Sequence, residues 1–460
     1  MRGHYVRTLF QLVIPLSLAF CSPLSAQQLL DSYTPDQLEK LGAARFQGGQ
    51  PDLALPYYAK ALDKDPARIS SLVAAAGIQE SGFRREQALA LYRRALTLDP
   101  GNLDALTFLS RSAPTPAEQQ ASTRQLASMA TGEQAARARM RLRELDALGG
   151  RPAFEVADTT RPYYFELEDP GRDVPFGMTF AVLVVPTPNG GRIRLLLSTA
   201  TEGIWLRKSA AKALGARILF PSTYPWLDQG NLLAGDFGII DKLELGELTL
   251  RNCPVFVRNA SRSYMYGVDG IIGAEVFKDF LVEIGNSAAD LSLIPFAEGY
   301  PAEAARYFVN IRRYGPFLLA PAKLDPEQER YFAVSNLTSA VLLQAGKQPP
   351  GVKDVDGGSN RVLSGWLCSA LPPQHLYQVL LAVGFSRWEG YATSCKMEDL
   401  NRAAGFRVTG ILGYSFLSAY TMVIDYRRGR IGFIPHTLRA PGGKPWRDPG
   451  EKWPTLPVGQ

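Results

Sequence analysis

The chain has 460 residues, a formal net charge of +6, 46 % hydrophobic and 20 % charged residues. That length exceeds what one hydrophobic core fills, so several domains are expected, and the composition excludes wholesale disorder. The mild positive charge forms no basic stripe interleaved with aromatics, which argues against a nucleic-acid partner.

In chain order, Arg2 and Arg7 precede an apolar run over residues 9–20, and small residues follow to Ala26. Charge, apolar core and small residues in that order make a secretory signal. Residues 1–26 therefore read as a signal peptide, and the mature protein as periplasmic or secreted. Cys21 offers a lipoprotein alternative, against which stands the bulky Phe20. The run is shorter than the ~20 residues of a membrane-spanning helix, and no later stretch reaches that length. Export permits a disulfide, and Cys368 with Cys395 form the candidate pair because both fall within one lobe, residues 301–436. Cys253 would then be a buried thiol.

Residues 27–150 carry apolar positions at helical spacing. Ala54, Tyr58, Ala61 and Pro66 return 34 residues later as Ala88, Tyr92, Ala95 and Pro100. Small alanines let two helices approach, tyrosine fills the space beside them, and Asp-Pro ends each second helix because proline cannot continue it. Leu41-Gly42 adds to the first copy, with Ala75-Ala76 in its place in the second. A looser third copy spans about 102–148, interrupted by Pro114-Thr115-Pro116. The set resembles tetratricopeptide repeats. That resemblance implies a solenoid with a concave face for a protein partner; a short stack docked on its own neighbour is the equal alternative.

Past Gly149-Gly150 the pattern changes to short apolar runs separated by Gly, Pro, Asn and Asp, a β architecture. Residues 268–295 align without gaps on 408–435, so that Gly270, Ile271, Gly273, Ile284, Ile294 and Pro295 return as Gly410, Ile411, Gly413, Ile424, Ile434 and Pro435. Each copy reads as a strand ending in Gly, a short helix and a hairpin with a polar turn, at 286–289 and 426–429. The arginines at 427, 428 and 430 read as a solvated hairpin tip. Duplication implies two lobes, 151–300 and 301–436, related by a pseudo-twofold with a cleft between them, followed by a Pro/Gly-rich tail over 437–460.

The segments Ile271-Ile272-Gly273 and Ile411-Leu412-Gly413 resemble the apolar-apolar-Gly motif of the aspartyl protease superfamily, pepsin-like and retropepsin-like alike. Residues 243–257 resemble the strand pair that follows the flap in its bacterial members. The implied fold class is multidomain α + all-β: an N-terminal helical solenoid, then a bilobal aspartyl-protease-like β-barrel fold. The resemblance also implies an Asp-Thr-Gly loop upstream in each lobe, and the loops that stand there are 195–201 and 332–338. Where the catalytic aspartates belong, the chain has Ser198 and Ser335; Thr199-Ala200 and Asn336-Leu337 complete the degenerate motifs.

Aspartic proteases need two facing carboxylates, one ionised as base toward a shared water and one protonated. A serine hydroxyl without a partnering base does not activate water, so the expectation is a non-catalytic protein. It would hold a peptide or protein segment in the interlobe cleft, with Ser198 and Ser335 on the cleft floor. The rivals are an active endopeptidase with displaced carboxylates (Glu202, Asp236, Asp354 or Asp356) and an assembly scaffold acting through its repeats. His375 and His436 complete no metal-ligand spacing, so no metal is expected. No phosphate-binding glycine motif is present, so no cofactor is expected either. Residues 413–417 superficially match a hydrolase nucleophile elbow but lack its last glycine.

Overall fold

The computed structural model describes residues 30–168, 181–225, 232–260, 267–285, 290–300, 302–324, 328–338, 340–344, 353–354 and 376–436. The signal segment, Asp356, Cys368, His375, the turn at 286–289 and the tail lie outside the described residues.

Helical hairpins occupy the first part: α1 (Pro35–Gln47), α2 (Pro51–Lys64), α3 (Ile69–Ser81), α4 (Arg85–Leu98), α5 (Leu103–Ser112), α6 (Pro116–Met129) and α7 (Gly132–Leu148). Their boundaries follow local chemistry. Thr34 and Gln37 close a reciprocal capping box at the start of α1. Helices α2 and α4 end at Asp65 and Asp99, each followed by the proline of the repeat. All four repeat alanines are fully buried and both repeat tyrosines nearly so. A side chain at Gly42 would stand 3.0 Å from the Tyr58 ring, so that glycine is what lets α1 lie against α2. The proline pair expected to interrupt the third copy is instead a junction: Thr115 caps α6 through the Glu118 amide, with Pro116 in its first turn.

Among the described residues the β region holds three sheets. The first runs Val182–Pro186, Arg192–Ser198, Gly270–Gly273, Ile204–Arg207, Leu248–Arg258, Leu232–Leu245 and Arg217–Pro225. The third repeats its central pattern with Phe317–Lys323, Glu329–Val334, Gly410–Leu412, Val341–Gln344, Ser386–Cys395 and Leu376–Val383. There, Lys323 pairs back to Ala382, so six strands of mixed direction close into a barrel. In both sheets the strand leading to a serine loop runs parallel to the Gly-containing strand of the repeat: Leu195 lies beside Gly270, and Phe332 beside Gly410. A Cβ on Gly270 would meet the Trp205 carbonyl at 2.2 Å, and one on Gly410 the Leu342 carbonyl at 2.3 Å. The same close backbone crossing demands glycine in each copy.

A six-stranded sheet joins the two halves, pairing Leu281–Gly285 antiparallel with Tyr420–Asp425. Glu283 sits opposite Val423, its own repeat equivalent 140 residues on. The pseudo-twofold axis therefore passes between these two residues. One hydrophobic core continues through this sheet into both lobes.

The helical stack is docked on the lobes. Arg312, 2 % exposed, donates to the Ile78 carbonyl at 2.9 Å and the Ser81 hydroxyl at 2.8 Å, and pairs with Asp52 at 2.6 Å. Phe46 meets Phe406 edge-on at 5.7 Å, and Leu148 joins Phe237 and Ile239 in a separate cluster. The hairpin tip expected to be solvated also takes part: its Gly429 is buried against Phe83, while Arg427 and Arg428 remain exposed. Among the described residues, no helix is long and apolar enough to cross a membrane.

Candidate functional site

The two serine loops meet at the lobe boundary and hold each other by hydrogen bonds that obey the pseudo-twofold. The Thr199 amide donates to Asn336 Oδ1 at 3.0 Å, and the Asn336 amide donates to Thr199 Oγ1 at 3.3 Å. Thr199 Oγ1 donates to the Val334 carbonyl at 3.2 Å; Asn336 Nδ2 donates to the Leu197 carbonyl at 2.7 Å. Val334 and Leu197 are the residues just before the two serines. Each second loop residue thus clamps the strand end of the opposite lobe.

The serines themselves face inward. Both are fully buried, whereas the sequence places them on an open cleft floor. Ser198 Oγ donates to Thr201 Oγ1 at 2.8 Å and accepts from the Ala200 amide at 3.1 Å. Ser335 Oγ accepts from Thr338 Oγ1 at 3.2 Å. Among the described residues, neither serine is hydrogen-bonded to a carboxylate or a histidine. A hydroxyl so placed has no base to take its proton.

Where the motif would carry glycine, each loop sends a side chain into the other lobe. Ala200 packs in a cluster with Phe317, Leu319 and Phe406 of the second lobe. Leu337 packs with Val182, Trp205 and Phe256 of the first. Both are almost wholly buried. The loop junction is therefore a filled, dry contact as well as a hydrogen-bonded one.

The displaced-carboxylate candidates lie apart in role. Glu202 pairs with Arg313 at 2.5 Å. Asp236 is half-buried on the long strand Leu232–Leu245, opposite Val257 and Pro221. Asp354 belongs to a short strand beside Tyr377. Nothing in local spacing marks Glu275 for a role; it is the repeat equivalent of Ser415, and the two share one. Glu275 Oε1 accepts from the Gly203 amide at 2.5 Å, and Ser415 Oγ accepts from the Val341 amide at 3.0 Å. Each satisfies the backbone of the segment that follows its serine loop. Burial, and then the charge of Glu202, push the Glu275 carboxyl up to about 7, although its side chain keeps some exposed surface.

Cys395 is buried among Met397, Leu400 and Phe406, and its candidate partner Cys368 lies outside the described residues. Cys253 is a buried free thiol, pushed up to about 12 by burial. It behaves as a small hydrophobe.

A second concavity lies between the helices and the lobes, about 2390 Å³ in volume. The inner face of the stack forms one wall, with Tyr58, Tyr92 and Phe108; Glu202, Arg313 and Tyr426 stand on the other. No protein-family model matches the chain, and no curated protein matches it either.

Proposed function

We propose that this is an exported, non-catalytic protein with tetratricopeptide-like repeats and an aspartyl-protease-like pair of lobes, which binds a peptide or protein segment without cleaving it. The observation that carries the reading is the reciprocal Thr199–Asn336 grip between two loops that present serines where such a fold would present carboxylates. The grip supports the family resemblance, because it relates the two loops by the same pseudo-twofold as the sequence repeat. The buried serines, each hydrogen-bonded within its own loop, support the absence of acid–base chemistry. Ser198 and Ser335 then act as internal braces of the loops beneath the cleft.

A second reading, an endopeptidase with displaced carboxylates, is favoured by one observation. Glu202 and Glu275 are close enough for the charge of one to raise the carboxyl of the other. Against it, Glu202 is held by Arg313 and Glu275 by the Gly203 amide. The test is incubation of the purified protein with an unfolded substrate from pH 3 to 7. Intact substrate is the expected result; cleavage sensitive to an aspartyl-protease inhibitor would refute the proposal, and its loss in Glu275→Gln would locate the activity.

A further inference from the structure

The cavity between stack and lobes is several times larger than the ~300–1,000 Å³ of a small-molecule pocket. Its lining includes Phe46 of α1 and Leu148 of α7, which pack on Phe406 and Phe237 of the lobes. Its lining carries nine Lys or Arg residues against five Asp or Glu. Four of these cations are already in ion pairs, Arg84 with Asp52, Arg111 with Glu80, Arg141 with Glu144 and Arg313 with Glu202.

Several of the acids are already engaged: Glu80 accepts from the Tyr92 hydroxyl at 3.2 Å and pairs with Arg111 at 3.3 Å, and Glu202 pairs with Arg313. On the lobe side, Lys278 and Arg427 are exposed and have no carboxylate partner among the described residues; Arg427 lies over the Phe296 ring at 5.4 Å. The lobe wall thus offers two exposed cations, one of them over an aromatic face, and the stack offers Tyr92 and Phe108. A space of this size with that lining suits an extended chain bearing both negative charges and apolar side chains. A nucleic acid would instead need a continuous basic track.

We infer that this cavity is the ligand site, and that it takes an acidic peptide segment interspersed with apolar side chains, held between the inner face of the helices and the Lys278/Arg427 edge of the lobes. This assignment rests on the peptide-binding proposal and narrows it to a place and a charge. Glu202 and Arg313, paired with each other, stand on the lobe wall, and the stack contributes the Tyr92 and Phe108 faces from the opposite side.

The test uses the full mature chain and fluorescein-labelled peptides of about ten residues, extended to about 33 Å, in three versions. All share the same Phe and Leu positions and carry Glu, Gln or Lys between them. Anisotropy titrations should show the Glu version binding at least about tenfold tighter than the Gln version, with the difference shrinking as salt rises. The double variant Lys278→Glu/Arg427→Glu should lose about tenfold for the Glu peptide. Arg217→Glu, on a strand outside the cavity, should bind as the parent does. Unchanged melting of both variants shows that they fold. Binding that ignores charge and survives the double variant would overturn this site while leaving peptide recognition standing. No binding of any version would remove both readings, and a stronger preference for a sulfated polysaccharide would overturn the peptide assignment.

Discussion

Thr199 and Asn336, 137 positions apart, each donate to and accept from the other's loop across the lobe boundary. The arrangement is symmetric although the residues differ, because threonine's hydroxyl and asparagine's amide both donate and accept. It also explains how the loops persist without carboxylates. The clamp is made by the second residue of each loop, so nothing in it depends on the first being acidic.

Removing one arm should unseat the lobes. Asn336→Ala leaves the Leu197 carbonyl and the Thr199 amide buried without those partners, a cost of about 2–4 kcal/mol. Asn336→Thr, which keeps a donor and an acceptor, should lose less. Denaturant unfolding followed by tryptophan fluorescence measures both, and equal losses would show that a hydroxyl at this position restores neither bond.

Placing acids in the two loops should not create a protease. Ser198→Asp with Ser335→Asp places two carboxylates at fully buried positions whose neighbours Ala200 and Leu337 fill the space beside them. The single variants should each lower the melting temperature, since an unpaired buried charge costs several kcal/mol. The double variant should leave an unfolded substrate intact from pH 3 to 7. Cleavage by it would mean that the filled junction opens readily.

Glu275 should make stability fall with rising pH. Its carboxyl, ordinarily near 4.5, is pushed up to about 7 by burial and by Glu202. The folded form therefore binds the proton more tightly than the unfolded form. The stabilisation is complete below about 4.5 and is lost as pH rises through 7, by at most about 2–3 kcal/mol. Glu275→Gln keeps an oxygen for the Gly203 amide and should flatten that dependence. Chemical denaturation at pH 5 and pH 8.5 checks it; the same slope in both proteins would assign the effect elsewhere.

Arg312 should decide whether the helical stack stays docked. Its guanidinium serves Ile78, Ser81 and Asp52 at one buried point and also donates to the Tyr331 hydroxyl at 3.1 Å. Arg312→Met leaves the Ile78 carbonyl and the Ser81 hydroxyl without this buried donor, at a cost of about 1–3 kcal/mol, while the half-exposed Asp52 keeps Arg84. Arg312→Lys should rescue little, because one ammonium lacks the planar fork. Hydrogen exchange should rise in α2 and α3 while the lobe strands stay protected. Unchanged exchange would place the docking energy in Phe46, Phe83 and Leu148 instead.

Much of the architecture is legible in residue spacing. The 34-residue recurrence of Ala54, Tyr58 and their equivalents reports helix contacts, because close approach tolerates only small residues there. Gly270 and Gly410 likewise betray a backbone crossing shared by both halves. The loop at 114–116 looks like an interruption but is a junction, since a proline at a helix start is indistinguishable, in one dimension, from a proline that breaks a helix. That Ala200 and Leu337 follow the two serine loops' second residues is visible, but their role is not: each fills a cluster built by residues of the opposite lobe. Glu275 shows only as the equivalent of Ser415, because the amide it serves lies 72 residues away.

The amino-acid sequence alone determined the helices, the duplication and the two loops that carry Ser198 and Ser335, since these are written in local spacing and residue type. Tertiary structure alone decided that the serines are buried, that Thr199 and Asn336 clamp the lobes, and that a cation-lined space lies beneath the helices. Those features arise between segments distant in the chain, where the geometry of packing, and no local pattern, selects which polar group meets which.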